Sequence, residues 1–143
     1  MFIYGRCILL SVPPDARILS NSRRHDARLP HMRLAYAEEA IHVHDTGHLS
    51  DRDIARATGA APSTVREWLA RRSAPSGVRA ERLAELSSLV ERLARVIRPT
   101  YIPVWLSKPI PALDDDKPID RIAKGDYRAV ACLISGLEDP GAS

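Results

Sequence analysis

The chain has 143 residues, 45% of them hydrophobic, and a formal net charge of +3, which fits one ordinary domain or two small ones. The apolar run near its start, residues 7–10, is far shorter than the roughly 20 residues that span a bilayer, and Arg6 and Pro13 interrupt any secretory signal. These features argue against a large multidomain enzyme and a membrane-spanning protein. They predict a cytoplasmic protein.

Residues 1–31 contain no helical or strand period that is long enough to indicate an element. We predict a poorly ordered arm, or a start codon assigned too far upstream, since Met32 is the only other methionine. The two remaining predicted regions are residues 32–97 and 98–143. Within the first of them, residues 48–97 hold 9 basic and 6 acidic side chains, an excess equal to the net charge of the chain.

Two helices are predicted at the start of the middle region. The first covers residues 34–44, and Thr46-Gly47 would end it. Gly47 is expected to adopt the left-handed conformation of a helix C-cap. The second begins after Ser50, whose hydroxyl can cap the free amides, and runs to about Thr58.

The spacing of Ala55, Gly59, Val65 and Trp68 is typical of a helix-turn-helix. The motif needs a small side chain where its helices cross, a residue that tolerates positive φ in the turn, and apolar residues one turn apart on the second helix. Pro62 suits the first turn of that second helix, because its missing amide costs little there.

Residues 53–69 resemble the helix-turn-helix of Xre-type proteins. In that geometry Val65, Trp68 and Leu69 point inward, and Arg66 is placed to read guanine with its guanidinium group. The predicted phosphate contacts are Ser63, Thr64, Arg71 and Arg72. The alternative is that these arginines form a solvated helix face. Glu67, which would repel phosphate, argues against DNA contact.

Residues 79–97 carry apolar side chains at alternating spacings of three and four, which predicts one long amphipathic helix. Leu89 and Val96 widen its apolar stripe, leaving surface for the C-terminal region or for a second subunit.

Prolines then divide the C-terminal region into short predicted helices over residues 103–106, 118–123 and 127–135. Tyr101 and Trp105 are expected to be packing residues. The predicted fold class is all-α, a helix-turn-helix bundle followed by a small helical module.

This C-terminal module resembles the toxin-binding domain of Xre/MbcA/ParS-type antitoxins. The matching residues are Trp105-Leu106, Pro109, Leu113, Lys117-Pro118-Ile119-Asp120 and Gly125-Asp126-Tyr127. With the helix-turn-helix, the resemblance spans residues 34–138. It implies a type II antitoxin that binds and inhibits a RES-domain toxin, which degrades NAD, and that represses their shared promoter by binding operator DNA. It further implies a homodimer or a higher hetero-oligomer with the toxin.

The residues expected to contact the toxin are Trp105, Tyr127, Arg128, Leu133, Leu137 and Glu138. Leu133, Leu137 and the acidic end of the last helix could reach into a basic NAD-binding cleft, with Tyr127 and Arg128 at its rim. The alternative function is a helix-turn-helix regulator without a toxin, whose C-terminal module serves dimerisation or ligand sensing.

Catalytic and metal-binding signals are missing from the sequence. It contains no GxGxxG, P-loop, HExxH or GxSxG motif, so we predict neither an enzyme nor a cofactor. Asp114, Asp115 and Asp116 are adjacent in a predicted loop, cannot converge easily on one ion, and are expected to be solvated. His42, His44 and His48 lack a further ligand of defined geometry, so no metal site is predicted.

Overall fold

The computed structural model describes residues 30–141, and the side chains from residue 35 onward. Within these residues the chain forms α-helices and two short 3-10 helices, and no strand, which confirms the all-α prediction. The α-helices are α1 (Pro30–Gly47), α2 (Asp51–Thr58), α3 (Pro62–Leu69), α4 (Gly77–Val96), α5 (Ile102–Ser107), α6 (Pro118–Ala123) and α7 (Tyr127–Glu138), and the 3-10 helices are Pro99–Tyr101 and Pro111–Leu113. The predicted arm lies outside the described residues, except that α1 already begins at Pro30.

Helix α1 ends at Gly47, but the residue with left-handed backbone is not the predicted one. His48, and not Gly47, adopts the left-handed conformation, with φ of 53°. A Cβ atom on Gly47 would lie 2.9 Å from Cγ1 of Val90, closer than real Cβ contacts allow. The assignment of Gly47 as the left-handed cap is therefore wrong. Glycine stands there because α1 passes α4 too closely for a side chain.

The start and end of α2 agree with the prediction. Ser50 and Asp53 form a reciprocal capping box, in which the Asp53 amide donates to Ser50 Oγ at 3.2 Å and the Ser50 amide donates to Asp53 Oδ2 at 3.0 Å. Gly59 follows the helix in the left-handed conformation, with φ of 76°, and its amide donates to the Ala55 carbonyl. Two capping features read from local sequence therefore set both ends of this helix.

Helices α2 and α3 pack against each other. Ala55 is buried on α2, while Val65 and Trp68 are buried on α3 and Leu69 is half-buried against the core. Pro62 occupies the first turn of α3, as predicted, and Ala61 precedes it without a side-chain cap. The inward face of the second helix is thus the one that the spacing indicated.

One hydrophobic core joins α1 to α4 with the C-terminal helices. Its buried side chains include Val43, Ile54, Val65, Trp68, Leu83, Leu86, Leu89, Val90, Leu93, Ile102, Leu106, Leu113, Ile119, Ile122, Val130 and Ile134. Helix α4 is the central element, because it packs against α1, α2, α5, α6 and α7. Trp105 is half-buried against this core, as expected, whereas Tyr101 is 43% exposed, so its assignment as a packing residue is wrong.

Arg121 of α6 holds together the loop that leads into the C-terminal helices. Its guanidinium donates to the Leu113 carbonyl at 2.9 Å and forms ion pairs with Asp114, Asp116 and Asp126 at 3.0–3.1 Å. The loop also contains left-handed backbone at Asp114, with φ of 57°. One arginine thus links the 3-10 turn, α6 and the start of α7.

Across the described range, no helix has both the length and the apolar content needed to cross a membrane.

Candidate functional site

Helix α3 has one buried and one exposed face. Val65 and Trp68 point into the core, whereas Ser63 and Arg66 are exposed and Thr64 is half-buried. Residues three apart lie on the same side of a helix, so Ser63 and Arg66 share the outward face. This is the face that enters the major groove in helix-turn-helix proteins.

The chain reverses direction directly after α3, and two predicted DNA contacts lie in this turn. Arg71 adopts the left-handed conformation, with φ of 56°. Its amide donates to the Trp68 carbonyl at 3.0 Å, and the Arg72 amide donates to the Glu67 carbonyl at 2.9 Å. The turn places both arginines at the C-terminal end of the exposed face.

All three predicted DNA-contacting arginines have a carboxylate close by. Arg71 Nε lies 2.6 Å from Glu38 Oε1, and Arg72 Nη2 lies 2.8 Å from Glu67 Oε1. Arg66 Nε is 3.8 Å from Asp51 Oδ2, too long for a hydrogen bond. The sequence indicated the arginines but not the roles of the α1 and α2 carboxylates.

The pairing of Glu38 and Arg71 shifts the pKa of both groups. Hydrogen bonds from Arg71 lower the pKa of the Glu38 carboxyl, and the same bonds raise the pKa of Arg71. Both groups are therefore ionised at neutral pH.

The second candidate surface is the end of α7. Val130 and Ile134 are buried, Leu133 is half-buried against the core, and Leu137 is 42% exposed. These four side chains follow helical spacing along one stripe. The apolar stripe therefore continues beyond the point where the core ends, and Leu137 presents it to solvent.

Arg92 of α4 fixes the end of α7 beside Leu137. Its Nε donates to Glu138 Oε1 at 2.9 Å, and its Nη2 donates to Glu138 Oε2 at 2.6 Å and to Ser135 Oγ at 2.8 Å. Hydrogen bonds from Arg92 hold the pKa of the Glu138 carboxyl below its ordinary value. The role of Arg92 was not predicted from the sequence.

Comparison with known proteins gives a relationship to antitoxins. No protein-family model matches the chain. The mycobacterial cidal antitoxin MbcA of Mycobacterium tuberculosis and that of Mycobacterium bovis are each 29% identical to it over 91 residues, which is 64% of this chain and 80% of the relative. The chain is a homologue of the MbcA antitoxins.

The fold of this MbcA homologue supports the same relationship. It superposes with a TM-score of 0.66 on a chain of the crystal structure of the M. tuberculosis MbcT-MbcA toxin-antitoxin complex, at 25% identity. The match covers 75% of this chain and 96% of the other. It thus extends over most of the described helices.

Three other predicted toxin contacts, Trp105, Tyr127 and Arg128, differ in their surroundings. Trp105 and Tyr127 are half-buried and pack against the core. Arg128 is exposed, but it precedes Leu137 by about two and a half helical turns and so lies on the opposite side of α7. The structure brings Leu133 and Leu137 together and places Arg128 elsewhere.

The acidic and histidine residues considered for metal binding have other neighbours. Asp114 and Asp116 form ion pairs with Arg121. His42 Nε2 lies 3.1 Å from Glu91 Oε1, and His44 Nδ1 lies 3.0 Å from Asp45 Oδ1. Among residues 30–141, no three His, Cys, Asp or Glu side chains are arranged to hold a metal ion.

Proposed function

We propose that this chain is the antitoxin of a type II toxin–antitoxin module, that it inhibits a RES-domain toxin which degrades NAD, and that it represses its own operon through α2 and α3. The observation that carries the proposal is the homology to MbcA together with the fold match, which covers 96% of a chain from a toxin–antitoxin complex. The same homology favours a regulatory, non-enzymatic protein.

The end of α7 is the proposed toxin contact. Leu137 is 42% exposed although it continues an apolar stripe, and burying this remaining surface against a partner contributes about 1 kcal/mol. Glu138 adds a carboxylate next to it, held by Arg92. Because Arg92 balances the charge of Glu138, the pair positions the end of α7, and Leu137 remains as the apolar anchor for a partner.

Co-expression tests the antitoxin role. Cells that express a RES-domain protein encoded by the neighbouring gene should stop growing, and the full-length chain should restore growth and co-purify with that protein. Leu137→Asp should weaken the complex by several kcal/mol, because it places a charge at an apolar contact. Val78→Asp is the matched control, since Val78 is also an exposed apolar residue, 48% exposed, at the start of α4. Equal complex formation by both variants would remove α7 from the interface.

DNA binding is tested on a duplex from the region upstream of the gene. Arg66→Ala should cost about 1–3 kcal/mol and relax preference at one base position, whereas Arg71→Ala should weaken all sequences alike and lower the salt slope by about one. Arg128→Ala removes an exposed arginine from α7 and serves as the charge control. DNA binding without any toxin complex would instead indicate a regulator that has no toxin partner.

A further inference from the structure

The exposed face around α3 combines arginines with carboxylates from three helices. Asp51 comes from α2, Glu67 from α3 itself and Glu38 from α1. Three guanidinium groups therefore face three carboxylates, and the local charge is balanced. Phosphate contacts by Lys and Arg supply most of the affinity of a protein for DNA of any sequence, so such a face attracts DNA less than its arginine content indicates.

The contact between Glu38 and Arg71 is bidentate. Arg71 Nε donates to Glu38 Oε1 at 2.6 Å, and Arg71 Nη2 donates to Glu38 Oε2 at 3.2 Å. A guanidinium group uses the same two parallel N–H donors to bind phosphate. The carboxylate thus occupies one of the two donor pairs by which the guanidinium could hold a phosphate, while the Nη1 donors take no part in the contact.

The contact joins separate parts of the fold and stays open to solvent. Glu38 precedes Arg71 by 33 residues, and the side chain of each is 54% exposed. The left-handed backbone of Arg71 belongs to the turn that directs the chain away from α3. A phosphate can take the Nε and Nη2 donors of Arg71 only by displacing Glu38, and a phosphate that binds Nη1 instead has the Glu38 carboxylate close to it.

We propose that Glu38 is an autoinhibitory residue of the DNA-binding face, because its carboxylate competes with DNA phosphate for the guanidinium of Arg71. The inference rests on the proposed DNA binding and deepens it. Glu38 lowers the affinity for DNA of any sequence, since it acts on a phosphate contact and not on a base contact. The ion pair between Glu38 and Arg71 breaks when DNA, or any partner that rearranges α1, separates the two side chains.

The test compares Glu38→Gln with Glu39→Gln in the full-length chain. Both variants remove one carboxylate from α1, but among the described residues Glu39 makes no side-chain hydrogen bond or ion pair. Binding to a mixed-sequence duplex and to a duplex from the region upstream of the gene is measured by fluorescence anisotropy over a range of salt concentrations. Circular dichroism verifies that each variant is folded.

Glu38→Gln should bind both duplexes about two- to fivefold more tightly than Glu39→Gln, the range expected for releasing one exposed ion pair. Its salt slope should be steeper by up to about one. In an Arg71→Ala background, the two Gln variants should bind alike. This result separates competition at Arg71 from a general change in net charge.

Equal binding by Glu38→Gln and Glu39→Gln in the chain that retains Arg71 would overturn the autoinhibitory role. If Arg66→Ala still weakened DNA binding in that case, the DNA-binding function would stand without an autoinhibitory role of Glu38. If no variant bound either duplex at low salt, the DNA-binding function itself would fall, and the inference with it.

Discussion

Arg56 of α2 forms a bidentate ion pair with Asp120 of α6. Arg56 Nε lies 2.5 Å from Asp120 Oδ1, and Arg56 Nη2 lies 3.0 Å from Asp120 Oδ2. The two residues are 64 positions apart, one in α2 and the other in the first turn of a C-terminal helix. The pair therefore joins the two regions at the surface, above the core that joins them inside.

A double-mutant cycle should detect this connection. Arg56→Gln and Asp120→Asn should each destabilise the protein, and the coupling between them should be about 0.2–1 kcal/mol in urea unfolding, the range for exposed pairs. Arg52→Gln is the control, because Arg52 is exposed on the same helix and has no side-chain partner among residues 30–141. A coupling of zero would mean that the pair does not connect the regions energetically.

The shared core predicts that both regions unfold together. Trp68 is buried on α3, and Trp105 packs against the core from α5, so each region has its own fluorescent reporter. In Trp68→Phe and in Trp105→Phe, the urea midpoint from the remaining tryptophan should coincide with the midpoint from far-UV circular dichroism. A Trp105 signal that changes before the helical signal would show instead that the C-terminal helices unfold on their own.

Local sequence was enough to predict those features that depend on local interactions. The Ser50 cap and the Gly59 turn involve partners within four residues, and the inward face of α3 follows from helical spacing. The role of Gly47 was predicted incorrectly because it depends on Val90, a residue of another helix. The Glu38–Arg71 and Arg92–Glu138 pairs could not be predicted for the same reason, since sequence spacing carries no information about which distant charges meet.

Substitutions at Gly47 and His48 should separate close packing from backbone strain. Gly47→Ala should be destabilising, because its Cβ would lie 2.9 Å and 3.2 Å from the two γ-carbons of Val90. Val90→Ala should restore part of the loss when combined with it. His48→Gly should instead be neutral or stabilising by up to about 1 kcal/mol, since glycine adopts positive φ without the penalty paid by other residues. Thermal melts measure all three effects.

Equal destabilisation by Gly47→Ala in the presence and absence of the Val90 side chain would contradict the packing argument. A destabilising His48→Gly would show that the imidazole contributes more than the left-handed backbone costs.

The Arg92–Glu138 pair should make the stability of the protein depend on pH. Because Arg92 lowers the pKa of the Glu138 carboxyl in the folded state, the unfolded chain binds that proton more tightly. The stabilisation is therefore complete above the ordinary glutamate pKa of about 4.3, and it is lost as the pH falls through the lower folded-state value.

Glu138→Gln should accordingly lower the melting temperature by a few degrees at neutral pH, and the difference from the unmodified protein should shrink below about pH 4. Glu39→Gln removes a carboxylate that makes no side-chain hydrogen bond or ion pair within residues 30–141, and it should leave the melting temperature nearly unchanged across this range. A Glu138→Gln difference that persisted in acid would have to come from packing at the end of α7, because a protonated Glu138 no longer forms the ion pair.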